Sequence, residues 1–436
     1  MNVFKPTVKD LIHSLPIRCM STDHDVKDIR LAAQGHLNIE LAERNMPIMR
    51  TLKERLAKEK PFSGLMIGLA LHVTKETAVL VRTLIAGGAK VAITGCNPLS
   101  TQDDVAAALA ADGVHVYAKK GESTEEYYGY IEKIISHDPD ITIDDGCDLV
   151  SAIHTKHADK IGKIIGGCEE TTTGVIRLRA MEKDGALRYP VIAVNDNKTK
   201  HLLDNYYGTG QSTIDGILRA TNTLIAGKTF VVAGYGDCGK GVSLRAKGLG
   251  ANVIVTEVDA FRAMQAVLDG YRVMPMDEAA PIGDIFLTVT GDKHVISIEH
   301  IKRMKSGAIV ANSGHFDVEI DIAGMNKAWK KRTIRPFLDE YSVSGKLIYV
   351  CAEGRLVNLG AAEGHPSEVM ATSFAGQTLA CEYLVKNKGK LKPIVITLPP
   401  DIDQKIAELQ LAAMGVKKDV LTEEQRKYLA SWEEGT

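Results

Sequence analysis

The chain has 436 residues, 45% of them apolar and 25% charged, with a formal net charge of −2 at pH 7. Such a length leaves room for roughly two to four domains, and a near-neutral charge with few aromatic rings argues against a nucleic-acid surface, a base-stacking platform or an anionic-membrane patch. Seven scattered cysteines without C-x-x-C spacing argue against a disulfide framework or a zinc site, and predict a reducing, cytoplasmic home.

Met1 to Pro16 lacks the continuous apolar core of a signal peptide, and no run is long enough to span a bilayer. Val26 to Lys60 is predicted helical, with Ile48, Met49, Leu52 and Leu56 on one face and Pro47 marking a break or a new first turn. The pattern then alternates. Leu65 to Leu71 is an expected strand, Glu76 to Ala86 a helix, Lys90 to Thr94 a strand and Thr101 to Ala111 a helix. Val114 to Ala118, Glu125 to Ser136 and Ile141 to Ile143 continue the cycle, and Val191 to Val194 is one more buried strand. Alternation of this kind predicts a doubly wound, mostly parallel sheet.

Leu202 to Asn222 is the expected helical connector to a second cycle, with strands at Thr229 to Ala233 and near Val253, Val273, Phe286 and Ile309. The glycines Gly234, Gly236 and Gly239 have G-x-G-x-x-G spacing directly after a strand and before a helix. The first permits a tight turn, the second lets a pyrophosphate approach bare backbone, and the third lets the helix pack closely on the strand. The pyrophosphate then meets the free N–H groups of the helix N-terminus. Glu257 ends the next apolar strand, where its carboxylate can accept from ribose hydroxyls and would repel a 2′-phosphate, so NAD is expected rather than NADP. Pro399 to Thr436 is polar and helical, with Thr422 and Gln425 spaced as a capping box. It is too small for its own core and is expected to pack on a neighbouring subunit. The predicted class is α/β: two doubly wound parallel-sheet, Rossmann-like domains with a small C-terminal helical oligomerisation segment. Residues 1–200, completed by about 366–398, form the expected substrate-binding domain, residues 201–365 the NAD-binding domain, and residues 399–436 the oligomerisation segment.

Ligands of open parallel sheets bind beyond the carboxyl ends of strands, so polar residues there come first. His72 reads as either a bonded core histidine or a functional group, and Asp144 and Asp145 as helix caps or functional carboxylates. Glu170 with Thr171, Thr172 and Thr173 suits a helix N-terminus. Lys200 and Asp204, one helical turn apart, form by default a solvated pair.

Jointly these segments resemble a family. The strings are Asn97-Pro-Leu-Ser-Thr-Gln-Asp103, Asp144-Asp-Gly-Cys-Asp148, Glu169-Glu-Thr-Thr-Thr-Gly174, Gly234-Tyr-Gly-Asp-Cys-Gly-Lys-Gly241, Gly314-His-Phe-Asp-Val-Glu-Ile320, Ala352-Glu-Gly-Arg-Leu-Val-Asn-Leu359 and Gly364-His-Pro366. Over nearly its whole length the chain resembles the S-adenosyl-L-homocysteine hydrolases. That resemblance implies reversible cleavage of S-adenosylhomocysteine to adenosine and homocysteine. Tightly bound NAD oxidises C3′ of the ribose, which acidifies the C4′ proton; homocysteine leaves by β-elimination, water adds, and the ketone is reduced back.

By the same resemblance Lys200 and Asp204 handle the 3′-hydroxyl, with the nicotinamide cation disfavouring the ammonium form of Lys200 and easing its use as a base. Asp145 and His72 are candidates for C4′ proton abstraction and for the leaving thiolate or entering water, their division left open. Glu170 would hold ribose hydroxyls. Thr171, Thr172, Thr173, Asn205 and Asn358 would contact the cofactor, as would Asp237 of the glycine turn. His315 and Phe316 would gate the channel, and His365 with Pro366 would lie near the purine and the hinge. A carboxylate at Glu76 suits the 6-amino group of adenine, and Thr74 can bond a ribose oxygen. An S-inosyl-L-homocysteine hydrolase is the alternative, and a catalytically silent NAD-binding relative the rival of another class. No metal is expected, and a homo-oligomer, a tetramer, is. Two departures from the family stand out. Thr209 occupies a position near the cofactor where cysteine is common, so redox tuning through a thiol is not expected there. The chain also ends at Thr436 without the family's lysine and tyrosine that reach a neighbouring subunit's NAD site.

Overall fold

The computed structural model describes residues 23–433. The segment Met1 to Pro16, read above for a leader, lies outside them. Short runs form the first sheet: β1 (Asp25–Val26), β2 (Met66–Ala70), β3 (Lys90–Thr94), β4 (His115–Ala118), β5 (Ile141–Asp144), β6 (Gly166–Glu169) and β7 (Val191–Ala193). Helices cover both faces, which is why β5 and β6 are buried at every residue instead of alternating. Pro47 sits at the first turn of helix Pro47–Glu59, a position that needs no N–H, and a separate helix, Ala32–Arg44, precedes it.

The second sheet contains β8 (Thr229–Ala233), β9 (Asn252–Thr256), β10 (Arg272–Val273), β11 (Ile285–Thr288), β12 (Ala308–Asn312), β13 (Lys330–Arg335), β14 (Leu338–Val343) and β15 (Lys346–Cys351). The chain then returns through helix Ser367–Lys386 to place β16 (Val395–Ile396) parallel to β7. Among the described residues the sheet orders are β1-β4-β3-β2-β5-β6-β7-β16 and β10-β9-β8-β11-β12-β15-β14-β13. Apolar clusters cover both faces of each sheet, Ile67, Val91 and Ile141 marking the first and Phe230, Val231 and Val310 the second.

Three features depart from the sequence reading. The second sheet ends in an antiparallel meander, because Ser344 and Gly345 both have positive φ, 48° and 84°, and form a two-residue hairpin turn between β14 and β15. The connector is not one regular helix. Residues His201–Gly208 form a π-helix that runs into the α-helix Thr209–Thr221. Finally, the first part of the tail does not wait for a neighbour. Helix Pro400–Ala413 packs on its own chain, with Ile406 fully buried and Asp403 accepting from the Lys198 and Thr199 amides at 2.7 and 3.2 Å. From the last turn of that helix onward residues 412–433 are exposed, and helix Glu423–Ala430 has the expected capping box from Thr422 and Gln425.

Candidate active site

In the first sheet the crossovers reverse direction between β2 and β5, and in the second between β8 and β11. Strand ends at such a reversal splay apart and leave a crevice. Both crevices open into one cavity of about 990 Å³. Ala70 lies opposite Asp144 across β2 and β5, so the residues just beyond them, His72 and Asp145, are brought together.

His72 Nε2 is 3.3 Å from Asp145 Oδ2. His72 Nδ1 faces Ser100 Oγ at 2.7 Å and Cys96 Sγ at 3.2 Å, both from the loop after β3. His315, from the loop after β12, reaches across from the second sheet, its Nδ1 3.6 Å from Asp145 Oδ1. Gly146 makes room for that ring, since a Cβ there would sit 2.3 Å from His315 Nε2. Burial pushes the His72 pKa down to about 4 although Asp145 opposes it, so the imidazole is neutral at physiological pH. His72, Cys96 and Asp145 also offer one donor atom each within 4.8 Å, a grouping of metal-ligand type that the sequence reading did not foresee.

A second cluster lies on the π-helix. Lys200 Nζ is 3.2 Å from Asp204 Oδ1, 2.9 Å from Asn205 Oδ1 and 3.8 Å from Glu170 Oε1. Asp204 also meets His365 Nδ1 at 3.2 Å and lies 3.1 Å from Ser373 Oγ. Glu170 accepts from Ser373 Oγ at 2.7 Å and from Gln377 Nε2. Lys200 and Asp204 are buried, so the default reading as a solvated pair is set aside. Burial opposes the charge on Lys200, but Asp204, Glu170 and Asp145 outweigh it and raise its pKa. The protein alone therefore favours the ammonium form. Burial would raise Asp204, yet Lys200 and His365 hold it well below the ordinary range. Burial lifts Glu170 to about 7 even though Lys200 pulls it down.

The glycine turn has the shape a dinucleotide needs. Gly234 has φ 104°, and a Cβ on Gly239 would lie 2.0 Å from Gly234 O, so the helix can sit this close only without one. A Cβ on Gly236 would meet only Arg262 Nη1, at 3.8 Å, which leaves its backbone open to the cavity. Glu257 is aimed there by three amides, accepting from Tyr235 N at 2.7 Å, Val258 N at 2.7 Å and Asp259 N at 2.9 Å. Asn358 Oδ1 is buried on the same cavity wall and has no partner among the described residues. These residues fit NAD. Thr171, Thr172, Thr173, Asn205, Gly234, Gly236, Asp237 and Asn358 all line the cavity, and Gly239 packs against Gly234 behind it. A thiol is present near Thr209 after all, because Cys238 Sγ lies 3.6 Å from Thr209 Oγ1 and faces the cavity.

At the other end Thr74 and Glu76 line the cavity, and Glu76 accepts from Ser367 Oγ at 2.7 Å. Lys75 Nζ lies between Glu363, at 2.8 Å, and Glu76, at 3.7 Å. Phe316 packs edge-on against His315, 4.7 Å between ring centres. Asp144 and Glu169 are turned away: Asp144 accepts from the amides of Asp145 and Val150, and Glu169 from those of Gly146 and Thr171. Sequence reasoning missed Cys96, Ser100, Ser367, Ser373 and Gln377. The last three share helix Ser367–Lys386, and the one available signal was its position directly after Gly364-His-Pro366.

Residues 23–161 match the family described as S-adenosyl-L-homocysteine hydrolase, and residues 205–364 match its NAD binding domain. An S-inosyl-L-homocysteine hydrolase of Methanocaldococcus jannaschii is 58% identical over 95% of this chain and 100% of its own length. The adenosylhomocysteinases of Saccharolobus solfataricus and Aquifex aeolicus are 57% and 58% identical, again over 95% of this chain and 100% of theirs. With the glycine turn, both acid–base clusters and these matches in place, the chain belongs to the S-adenosyl-L-homocysteine hydrolase family.

Proposed function

We propose that this chain catalyses the reversible hydrolysis of S-adenosyl-L-homocysteine to adenosine and L-homocysteine. The observation that carries the reading is the opening of two distinct buried acid–base clusters, Lys200–Asp204–Glu170 and His72–Asp145–His315, into one cavity with a dinucleotide turn. Gly234, Gly236, Glu257, Asn205, Asn358 and Thr171 to Thr173 would hold NAD, which would supply reversible hydride transfer at C3′.

The remaining roles belong to the side chains. Glu170, gripped by Ser373 and Gln377, accepts from ribose hydroxyls. Lys200 takes the 3′-hydroxyl proton, with Asp204 and Asn205 orienting its nitrogen. The positive charge of bound nicotinamide opposes the ammonium form, offsetting the carboxylates that favour it. Asp145 and His72 serve the C4′ proton, the departing thiolate and the entering water. His315 closes over that end and excludes solvent. His365 lies beside the purine and ties Asp204 to the chain that returns from the second sheet.

The purine is assigned as adenine. Glu76 presents an acceptor where the 6-amino group would donate, while Glu363 draws the Lys75 ammonium aside. The inosyl alternative is kept open by the relative from M. jannaschii. Incubation with homocysteine plus adenosine or plus inosine separates the two, and consumption of inosine alone would overturn the adenine assignment. We assign residues 1–200 with 366–398 to a substrate-binding unit and 201–365 to an NAD-binding unit. The exposed stretch 412–433 is assigned to contact with other copies in a cytoplasmic tetramer. No helix among the described residues is long and apolar enough to cross a membrane.

A further inference from the structure

We propose that Ser100 is a positioning residue that fixes the tautomer of His72, so that His72 and Asp145 share one mobile proton; the role rests on the hydrolase reading above. A serine hydroxyl has one proton, and Ser100 Oγ donates its own to the Asn97 carbonyl at 3.0 Å. Facing His72 Nδ1 at 2.7 Å, Ser100 Oγ must then accept. The other neighbour of Nδ1 is in the same position, because the Cys96 thiol, 3.2 Å away, directs its proton to Asp145 Oδ2 at 3.6 Å. Burial and the nearby carboxylates raise the Cys96 pKa, which keeps that proton on sulfur. Two acceptors therefore hold the imidazole proton on Nδ1.

Nε2 of a neutral His72 is then a lone pair pointing at Asp145 Oδ2, 3.3 Å away, and two lone pairs at that distance require a proton between them. That proton belongs to the pair. The groups facing the pair are Cys96 and Ser100 from the loop after β3 and His315 from the second sheet, with His365 and Asp204 contributing charge from farther off. In the reaction the pair takes the C4′ proton, the C4′–H electrons form the C4′–C5′ double bond, the C5′–S bond breaks with its electrons on sulfur, and the thiolate takes one proton from the pair. Water then adds its oxygen to C5′ and gives one proton to the pair, which returns one to C4′, so the pair ends as it began.

The test compares Ser100→Ala and Ser100→Thr in NAD-loaded enzyme. Oxidation alone is read from the absorbance of reduced nicotinamide on mixing with 5′-deoxyadenosine, which lacks a C5′ leaving group. Ser100→Ala is expected to retain that signal within a few-fold while hydrolysis of S-adenosylhomocysteine slows by about 10²-fold, the scale of one general acid–base contribution. The alkaline limb of its kcat profile is expected to move to lower pH, since the weak sulfur acceptor of Cys96 alone does not hold the proton on Nδ1, Nε2 can carry it, and the pair holds one fewer. Ser100→Thr, which keeps the hydroxyl, should restore both rate and profile. Equal loss of oxidation and hydrolysis with an unmoved pH profile, or no change in either, overturns the proposal. Absence of the absorbance signal in the unmodified enzyme overturns the hydrolase reading itself, and this role with it.

Discussion

Glu170 and Lys200 show how one buried group sets the state of another. Each is starved of water, but Lys200 has Asp204 and Glu170 within 4 Å and keeps its proton, while burial lifts Glu170 to about 7 against the pull of Lys200 and of the Gln377 amide. Lys200→Ala is expected to lower turnover by at least about 10²-fold while far-ultraviolet circular dichroism stays unchanged. Activity near that of the unmodified enzyme would remove Lys200 from the mechanism. Glu76 offers a separate test of the purine end. In Glu76→Gln the amide both donates and accepts, so the adenosine-to-inosine ratio of kcat/KM should fall by about tenfold, equivalent to the ~1.4 kcal/mol of one discriminating hydrogen bond. An unchanged ratio would place purine selection elsewhere.

At the scale of elements, the π-helix His201–Gly208 is what carries Asp204, Asn205 and the approach of the second unit. The helix after the glycine turn lies backbone to backbone against it: a Cβ on Gly241 would sit 1.9 Å from Tyr206 O. Gly241→Ala is therefore expected to force the two elements apart, costing about 1–3 kcal/mol as overpacking does, with a lower melting temperature and faster loss of NAD on dialysis. A variant that melts and retains NAD normally would show that the contact can relax. The strands and the glycine turn were legible because period and turn chemistry are local: apolar β-branched runs, then Gly234, Gly236 and Gly239. The π-helix was not, since one extra residue per turn is chosen by what packs against the helix and leaves no pattern in it. The antiparallel edge was signalled by Ser344-Gly345, which the surrounding parallel cycle obscured. In the site, each polar string after a strand was found where expected, but Ser373 and Gln377 hold Glu170 from a helix 203 and 207 residues away, a distance no local signal spans.

The whole molecule places more buried carboxyls than its cavity uses, and their titration governs how stability responds to pH. Burial lifts Glu122, Asp144 and Glu170 each to about 7, from ordinary values of 4.5, 3.8 and 4.5. In that window the native state holds protons the unfolded chain has released, so ∂ΔG/∂pH is negative: the stability these groups provide is fully present below about pH 4 and is lost as pH rises through 7. Glu382 acts in the opposite sense. Held down to about 2 by Arg55 and Lys386, against the push of burial, it contributes stability above 4.5 that disappears toward pH 2. Ligand-free protein should accordingly melt at a progressively lower temperature between about pH 5 and 8, with bound NAD and adenosine reducing the fall because ribose hydroxyls donate to ionised Glu170. Glu122 isolates the effect from catalysis, since it lies off the cavity with Oε1 buried and unpartnered. Glu122→Gln keeps the shape and removes the titration, so the slope of melting temperature against pH should become shallower by its share. A slope in Glu122→Gln equal to that of the unmodified protein would mean that Glu122 ionises natively with a partner such as bound water, and that the pH dependence arises from Asp144 and Glu170 alone.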